Sequence, residues 1–193
     1  MSPPDRPAPP DRQDAILDAA FHAFATYGYR RATMEDVARL AGLSRTALYL
    51  HFRNKDDIFR ALSERYFDAC LTDLDQALAA PGPADQVLRA AFAAKDGKFM
   101  DVVLGTAHGR ELLDAGYALS SDLATRMEGR MSARLADWIR LKDPTVRLGD
   151  PEAAARMVIA ALKGLKTSCA TLAEYRAGQA TLARVLALAL GQP

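Results

Sequence analysis

The chain has 193 residues, half of them hydrophobic and a quarter charged, with a formal net charge of +1. A length of this order builds one or two domains with a proper core, and the near-neutral balance excludes a polycation that coats nucleic acid over its whole surface. No apolar run approaches the ~18 residues of a membrane-spanning helix, and no signal-peptide core opens the sequence, so a soluble, cytoplasmic chain without a membrane partner is expected.

Residues 1–11 hold five prolines, at positions 3, 4, 7, 9 and 10. Proline removes backbone donors, and the segment reads as a disordered tail. A minor-groove arm is the functional alternative, but Asp5 and Asp11 offset Arg6 and Arg12. A first helix is predicted over 12–27, where Ile16, Ala20, Ala23, Phe24 and Tyr27 recur at helical spacing. Gly28 ends it.

Residues 33–57 then hold three helix starts. Thr33 precedes Asp36 by three positions, a capping-box spacing. Ser44 and Asn54 occupy N-cap positions, and Asp56 and Asp57 sit in a first turn where the helix dipole favours acids. Gly42 lies between the first two helices, where a left-handed residue turns the chain. Two short helices joined by a Gly-containing turn make a helix-turn-helix. At about 100° per residue, Arg45, Thr46, Tyr49, Leu50 and Arg53 share a wedge of about 140°, with Ala47, Leu48, His51 and Phe52 opposite. Such a helix rests one face on a small core and offers the other to a major groove. Charge agrees: residues 30–55 carry six Lys/Arg against Glu35 and Asp36, a net charge of +4, on a remainder of −3. The candidate DNA-binding residues are Arg45, Thr46 and Tyr49 in the groove, with Thr33, Ser44 and Lys55 on phosphates. His51 joins them only if the last turn of its helix unwinds.

This stretch resembles the DNA-binding segment of the TetR/AcrR family of bacterial transcriptional regulators. The resemblance rests on Thr33-Met34-Glu35-Asp36-Val37-Ala38, Ala41-Gly42-Leu43-Ser44, Leu48-Tyr49, His51-Phe52 and Asn54-Lys55-Asp56-Asp57-Ile58-Phe59, and covers roughly the first third of the chain. Leu50 departs from the pattern, since many members place there an aromatic residue or His that touches the DNA backbone.

Beyond it, a long helix from Asn54 to about Ala79 carries Ile58, Phe59, Leu62, Tyr66, Cys70, Leu74 and Leu78 on one stripe, and Pro81-Gly82-Pro83 breaks the chain. Helices follow over about 84–104, with a weak point at Gly97, then 107–117, 119–141, 151–173 and 177–191. The reading is an all-α protein of about nine helices: a tail (1–11), a three-helix helix-turn-helix DNA-binding domain (12–53) and a helical regulatory and dimerisation domain (54–193).

The last two helices are apolar over wide arcs, more than one domain surface buries. The surplus leaves either internal packing or a partner helix pair. The family resemblance implies a homodimer through a four-helix bundle, placing Val158, Leu162, Leu165, Leu182 and Leu186 at the interface. It also implies a small-molecule pocket. Met100, His108, Tyr117, Met127, Met131, Trp138 and Tyr175 are the candidate lining, since Met adapts to varied shapes and Tyr or Trp adds a polar handle. The thiols of Cys70 and Cys169 are expected to be reduced. The three histidines are scattered, and no metal-ligand spacing, P-loop or dinucleotide motif occurs, so neither catalysis nor a cofactor or metal is expected. The leading function is a repressor that an unidentified small lipophilic effector releases from an inverted-repeat operator on double-stranded DNA. The alternatives are a DNA-binding dimer without small-molecule control, or a small helical enzyme.

Overall fold

The computed structural model describes residues 12–97, 99–145 and 147–191, so the proline-rich segment 1–11 lies outside the described residues. Helices follow one another as α1 (Arg12–Tyr27), α2 (Met34–Leu40), α3 (Arg45–Tyr49), α4 (Lys55–Ala79), α5 (Ala84–Asp96), α6 (Phe99–Gly105), α7 (Gly109–Lys142), α8 (Pro151–Ser168) and α9 (Leu172–Ala189). Among the described residues there is no strand, and the all-α expectation holds.

Capping chemistry sets most of these ends. Thr33 and Asp36 close the expected capping box on α2, and the Ser44 hydroxyl accepts from the Ala47 N–H at 3.1 Å. Gly42 adopts φ +66°, while its own N–H reaches the Arg39 carbonyl and the Leu43 N–H reaches that of Ala38. These two bonds form a Schellman stop, which needs a left-handed residue at that point. Asn54 caps α4 through the Asp57 N–H at 2.8 Å.

Three boundaries differ from the sequence reading. The helix predicted over 84–104 breaks at Gly97 (φ +47°), where an added Cβ would stand 3.4 Å from the Tyr66 ring. The two helices predicted over 107–117 and 119–141 are the two arms of α7, and the break between them falls at Ser120 (φ −136°, ψ 20°), later than expected, where the hydroxyl meets that of Ser63 at 3.1 Å. Finally, α8 ends at Ser168, and α9 starts at Leu172 because Thr171 and Glu174 form a second capping box.

The core falls into two large clusters and a small one. The first joins α1, α2 and α3 to Ile58 and Phe59 of α4 and to Leu112 and Ala115 of α7. The hydrophobic core of the N-terminal head therefore runs past residue 53 and into α7. The second cluster fills the space among α4, α5, α7, α8 and α9, around Leu88, Met131, Ile139 and Leu162. Met100, Val103, Leu113 and Tyr175 form the third.

The second cluster takes up the residues expected at a dimer interface. Leu162 is fully buried within the chain, Val158 and Leu186 are buried beside it, and Leu165 and Leu182 pack half-buried against the same core. Their stripe faces inward because α8 lies on α7 and α9 on α5. The large apolar side chains that α8 and α9 leave exposed are Met157 (70%), Val185 (57%) and Leu188 (57%).

Candidate functional site

The head presents α3 outward. Leu48 is its buried anchor, while Ser44, Arg45, Thr46 and Tyr49 are exposed. The Arg45 guanidinium lies 5.6 Å from the centre of the Tyr49 ring, so cation and ring form one contiguous surface. The helix stops at Tyr49. The next two turns tighten, with the Leu50 N–H on the Ala47 carbonyl and the His51 N–H on that of Leu48. His51 is exposed for this reason, although a continued helix would have turned it inward. Leu50 is 83% exposed beside it. The Thr33 hydroxyl lies within the capping box, donating to Asp36 Oδ2 at 2.6 Å and accepting from the Asp36 N–H at 3.2 Å.

Lys55 has a different task from the phosphate contact expected of it. Its Nζ donates to the carbonyls of Tyr29, Arg30 and Ala32 at 2.8, 3.0 and 3.3 Å, and lies 4.7 Å from the Tyr29 ring centre. An ammonium has three protons, and all three are engaged inside the head. The α1–α2 connection that Lys55 holds from α4 is also held from α7, where Glu111 Oε1 accepts from the Arg30 N–H at 2.6 Å. Lys55→Ala is thus expected to lower stability by about 1–2 kcal/mol in urea denaturation. The slope of operator affinity against salt should stay unchanged, whereas loss of a phosphate contact would flatten it by about one unit.

Behind the head lies a cavity of about 430 Å³. Its walls are Phe21 and Phe24 of α1, Phe59, Leu62, Tyr66 and Phe67 of α4, Phe99 of α6, and Leu112, Leu113, Gly116, Tyr117 and Met127 of α7, closed by Lys163 and Lys166 of α8 and Lys95 of α5. Of the seven side chains expected to line a pocket, Tyr117 and Met127 do so. The other five have other places. Met100 belongs to the small third cluster, and Met131 and Trp138 to the second. His108 stands at the start of α7 beside Glu111. Tyr175 is fully buried, with its hydroxyl donating to Asp96. Periodicity finds an inward face, but which part of the interior stays unfilled depends on how neighbouring helices pack.

A buried charged group went unnoticed in the sequence. Asp96 is fully buried at the end of α5; its Oδ1 lies 2.5 Å from Lys166 Nζ and 3.4 Å from Lys95 Nζ. Its Oδ2 accepts from the Tyr175 hydroxyl and from Gln179 Nε2 at 3.1 Å. Burial by itself would raise the Asp96 pKa, but Lys166 and Lys95 outweigh it and hold the carboxyl below its ordinary range. Burial, with Lys166 alongside, pushes Lys95 down to about 8. The available signal was Lys95-Asp96 continuing the Ala91, Phe92 apolar face, where charges are rare unless paired.

Residues 16–62 match the model of the bacterial regulatory proteins of the tetR family. The N-terminal head is thus similar to the DNA-binding segment of the TetR family. Among curated relatives, a transcriptional activator, FasR of Mycolicibacterium smegmatis, is 33% identical over 119 residues, which cover 61% of this chain and 52% of that protein. A transcriptional repressor of Mycobacterium tuberculosis is 46% identical over 52 residues, 27% of this chain and 28% of the relative. The chain thus spans about half the length, or less, of these curated relatives. Among solved structures, SmeT, the repressor of the Stenotrophomonas maltophilia multidrug efflux pump SmeDEF, superposes with a TM-score of 0.65 at 24% identity, over 92% of this chain and 88% of SmeT. A TetR-family regulator from Rhodococcus gives 0.68 at 23% identity, over 92% and 99%. At these identities the structures establish the shared TetR fold. They extend the likeness well beyond the helix-turn-helix, across helices whose sequences carry no motif. Among the described residues, no helix is long and apolar enough to cross a membrane, and no group of three or more His/Cys/Asp/Glu residues could hold a metal ion.

Proposed function

We propose that this chain is a cytoplasmic, homodimeric transcriptional regulator of the TetR family, a repressor that a small lipophilic effector releases from its operator, and not an enzyme. One observation carries the reading: Phe24, Phe59 and Leu112 belong to the core of the DNA-binding head and also wall the 430 Å³ cavity. Whatever enters the cavity therefore touches the packing that orients α3. The regulatory unit begins with α4, and the helix-turn-helix unit precedes it.

Arg45, Thr46 and Tyr49 read the major groove, with Thr33, Ser44 and the exposed His51 beside the phosphates. A two-fold dimer places two such heads on an inverted repeat, with half-sites about 34–36 Å apart. Ligand in the cavity displaces α7, and Glu111 passes that displacement to the α1–α2 connection; α4, whose Lys55 holds the same connection, moves with it. The SmeT structure in complex with triclosan shows a fold of this type with a small molecule bound to that protein. The effector shifts the equilibrium only by its differential affinity for the two states, about 1–3 kcal/mol of coupling.

The decisive measurement is effector affinity with and without operator, which reciprocity requires to differ by the same factor as operator affinity with and without effector. Equal affinities would leave a DNA-binding dimer without small-molecule control. The relative names include both an activator and a repressor, so a reporter assay of the bound promoter decides the sign. For the groove contact, Arg45→Ala is expected to cost about 1–3 kcal/mol on a selected operator while leaving the melting temperature in place. Wild-type affinity in that variant would remove Arg45 from the interface.

A further inference from the structure

We propose that the cavity takes a lipophilic monoanion, a carboxylic acid with an alkyl or aromatic body, whose carboxylate pairs with Lys95. This rests on the reading of the cavity as an effector site, and narrows it to one chemical class. The argument is a charge balance. The charged side chains on the cavity wall are Arg65, Lys95, Glu128, Lys163 and Lys166. Arg65 is directed away, to Asp14 at 3.2 Å and Asp18 at 2.6 Å. Lys163 pairs with Glu128 at 3.2 Å. Lys166 takes Asp96 at 2.5 Å. Lys95 is left with a share of the same Asp96 oxygen at 3.4 Å, although it is 95% removed from solvent.

Asp96 has little more to give. Two ammonium groups meet one of its oxygens, and Tyr175 and Gln179 occupy the other, which uses about all four acceptor positions of a carboxylate. The group Lys95, Lys163 and Lys166 against Asp96 and Glu128 therefore carries one positive charge in excess, beside apolar walls. An unpaired charge in such surroundings is costly, and the depressed pKa of Lys95 reflects that cost. An incoming carboxylate supplies the missing anion, while Phe24, Phe59, Leu62, Leu112 and Met127 bury its apolar body. A neutral ligand leaves the excess in place, and a cationic one adds to it.

The test uses the full chain and three probes of one shape, decanoate, decanol and decylamine, with 2-naphthoate and 2-naphthol as an aromatic pair, each titrated calorimetrically without DNA. At least one acid is expected to bind about ten- to a hundredfold more tightly than its alcohol, the range of a charge-assisted hydrogen bond in a dry site, with the amine weakest. Lys95→Met should abolish the preference for acid over alcohol, and Lys95→Arg should keep much of it. Thermal denaturation of both variants separates a loss of preference from a loss of fold, and an Arg variant that folds and binds the acid no better than its alcohol counts against the proposal. Equal or tighter binding of the alcohols or the amine, or no binding of either acid, overturns it. An acid that binds through Lys95 yet leaves operator affinity unchanged sustains this inference and refutes effector control instead.

Discussion

Asp96→Asn is expected to destabilise the protein by about 3–5 kcal/mol, the cost of removing one partner from a buried ion pair. The amide keeps the size of the side chain but presents two donors where Lys95, Lys166, Tyr175 and Gln179 all need an acceptor. Four groups from α5, α8 and α9 thus lose the charge they share and are left with one carbonyl oxygen in place of two carboxylate oxygens. The direction with pH follows from linkage. The folded pKa of Asp96 lies below its unfolded value, so its contribution is fully present above about pH 4 and is lost as pH falls through the folded value. Urea denaturation should show the full deficit at pH 7 and a shrinking one in strong acid. The double variant Asp96→Asn/Lys95→Met should be less destabilised than the sum of its parts, because the ammonium left most exposed to the loss is gone. A deficit below about 1 kcal/mol at pH 7 would mean that water, not Asp96, compensates the two lysines.

Val185→Glu combined with Leu188→Glu is expected to convert the proposed dimer to a monomer and to weaken operator binding by about 10²–10⁴-fold, the gain that joining two heads supplies. Both side chains stand 57% exposed on α9. With Met157 on α8 they are the large apolar side chains that the two helices leave exposed. Charges there are solvated in the separated chain, so the melting of each subunit should change little, but they are costly once a partner removes water. Leu162→Glu provides the contrast. Its side chain is wholly inside the subunit, and a charge there should unfold the chain rather than divide the pair. Sedimentation at micromolar concentration, alongside circular dichroism, distinguishes the two outcomes. A dimeric double variant, or a wild type that sediments as a monomer, would place the interface elsewhere or dismiss it.

Legibility followed the range of the interactions involved. The capping boxes and the Gly42 turn were readable because each signal is complete within a few residues: an oxygen, an N–H three positions on, a residue free to take positive φ. The outward wedge of α3 was readable for the same reason, since the spacing of Leu48 against Arg45, Thr46 and Tyr49 fixes which side is buried once the helix exists. His51 depended on where α3 ends, which spacing alone does not fix: the helix stops at Tyr49, and the side chain is exposed. The second capping box, Thr171 to Glu174, was present in the sequence and overlooked, which shifted the predicted start of α9 by five residues.

By itself, the sequence determined the helical class, the helix-turn-helix and its basic outer face, because those follow from periodicity, caps and local charge. Only the tertiary structure decided the rest. It brought Lys95, Asp96, Lys166 and Tyr175 together from helices far apart in the chain, directed Lys55 to the carbonyls of the α1–α2 connection, and turned Leu162 inward while leaving Met157, Val185 and Leu188 outside. It also left a cavity between α1, α4 and α7, and assigned Tyr117 and Met127 to its wall while Met100, Met131 and Trp138 went to solid core. The physical reason is common to all of these. A stripe of apolar residues specifies that a face is buried, but the neighbour it meets, the volume left over and the charge it encounters are set by how separate helices pack.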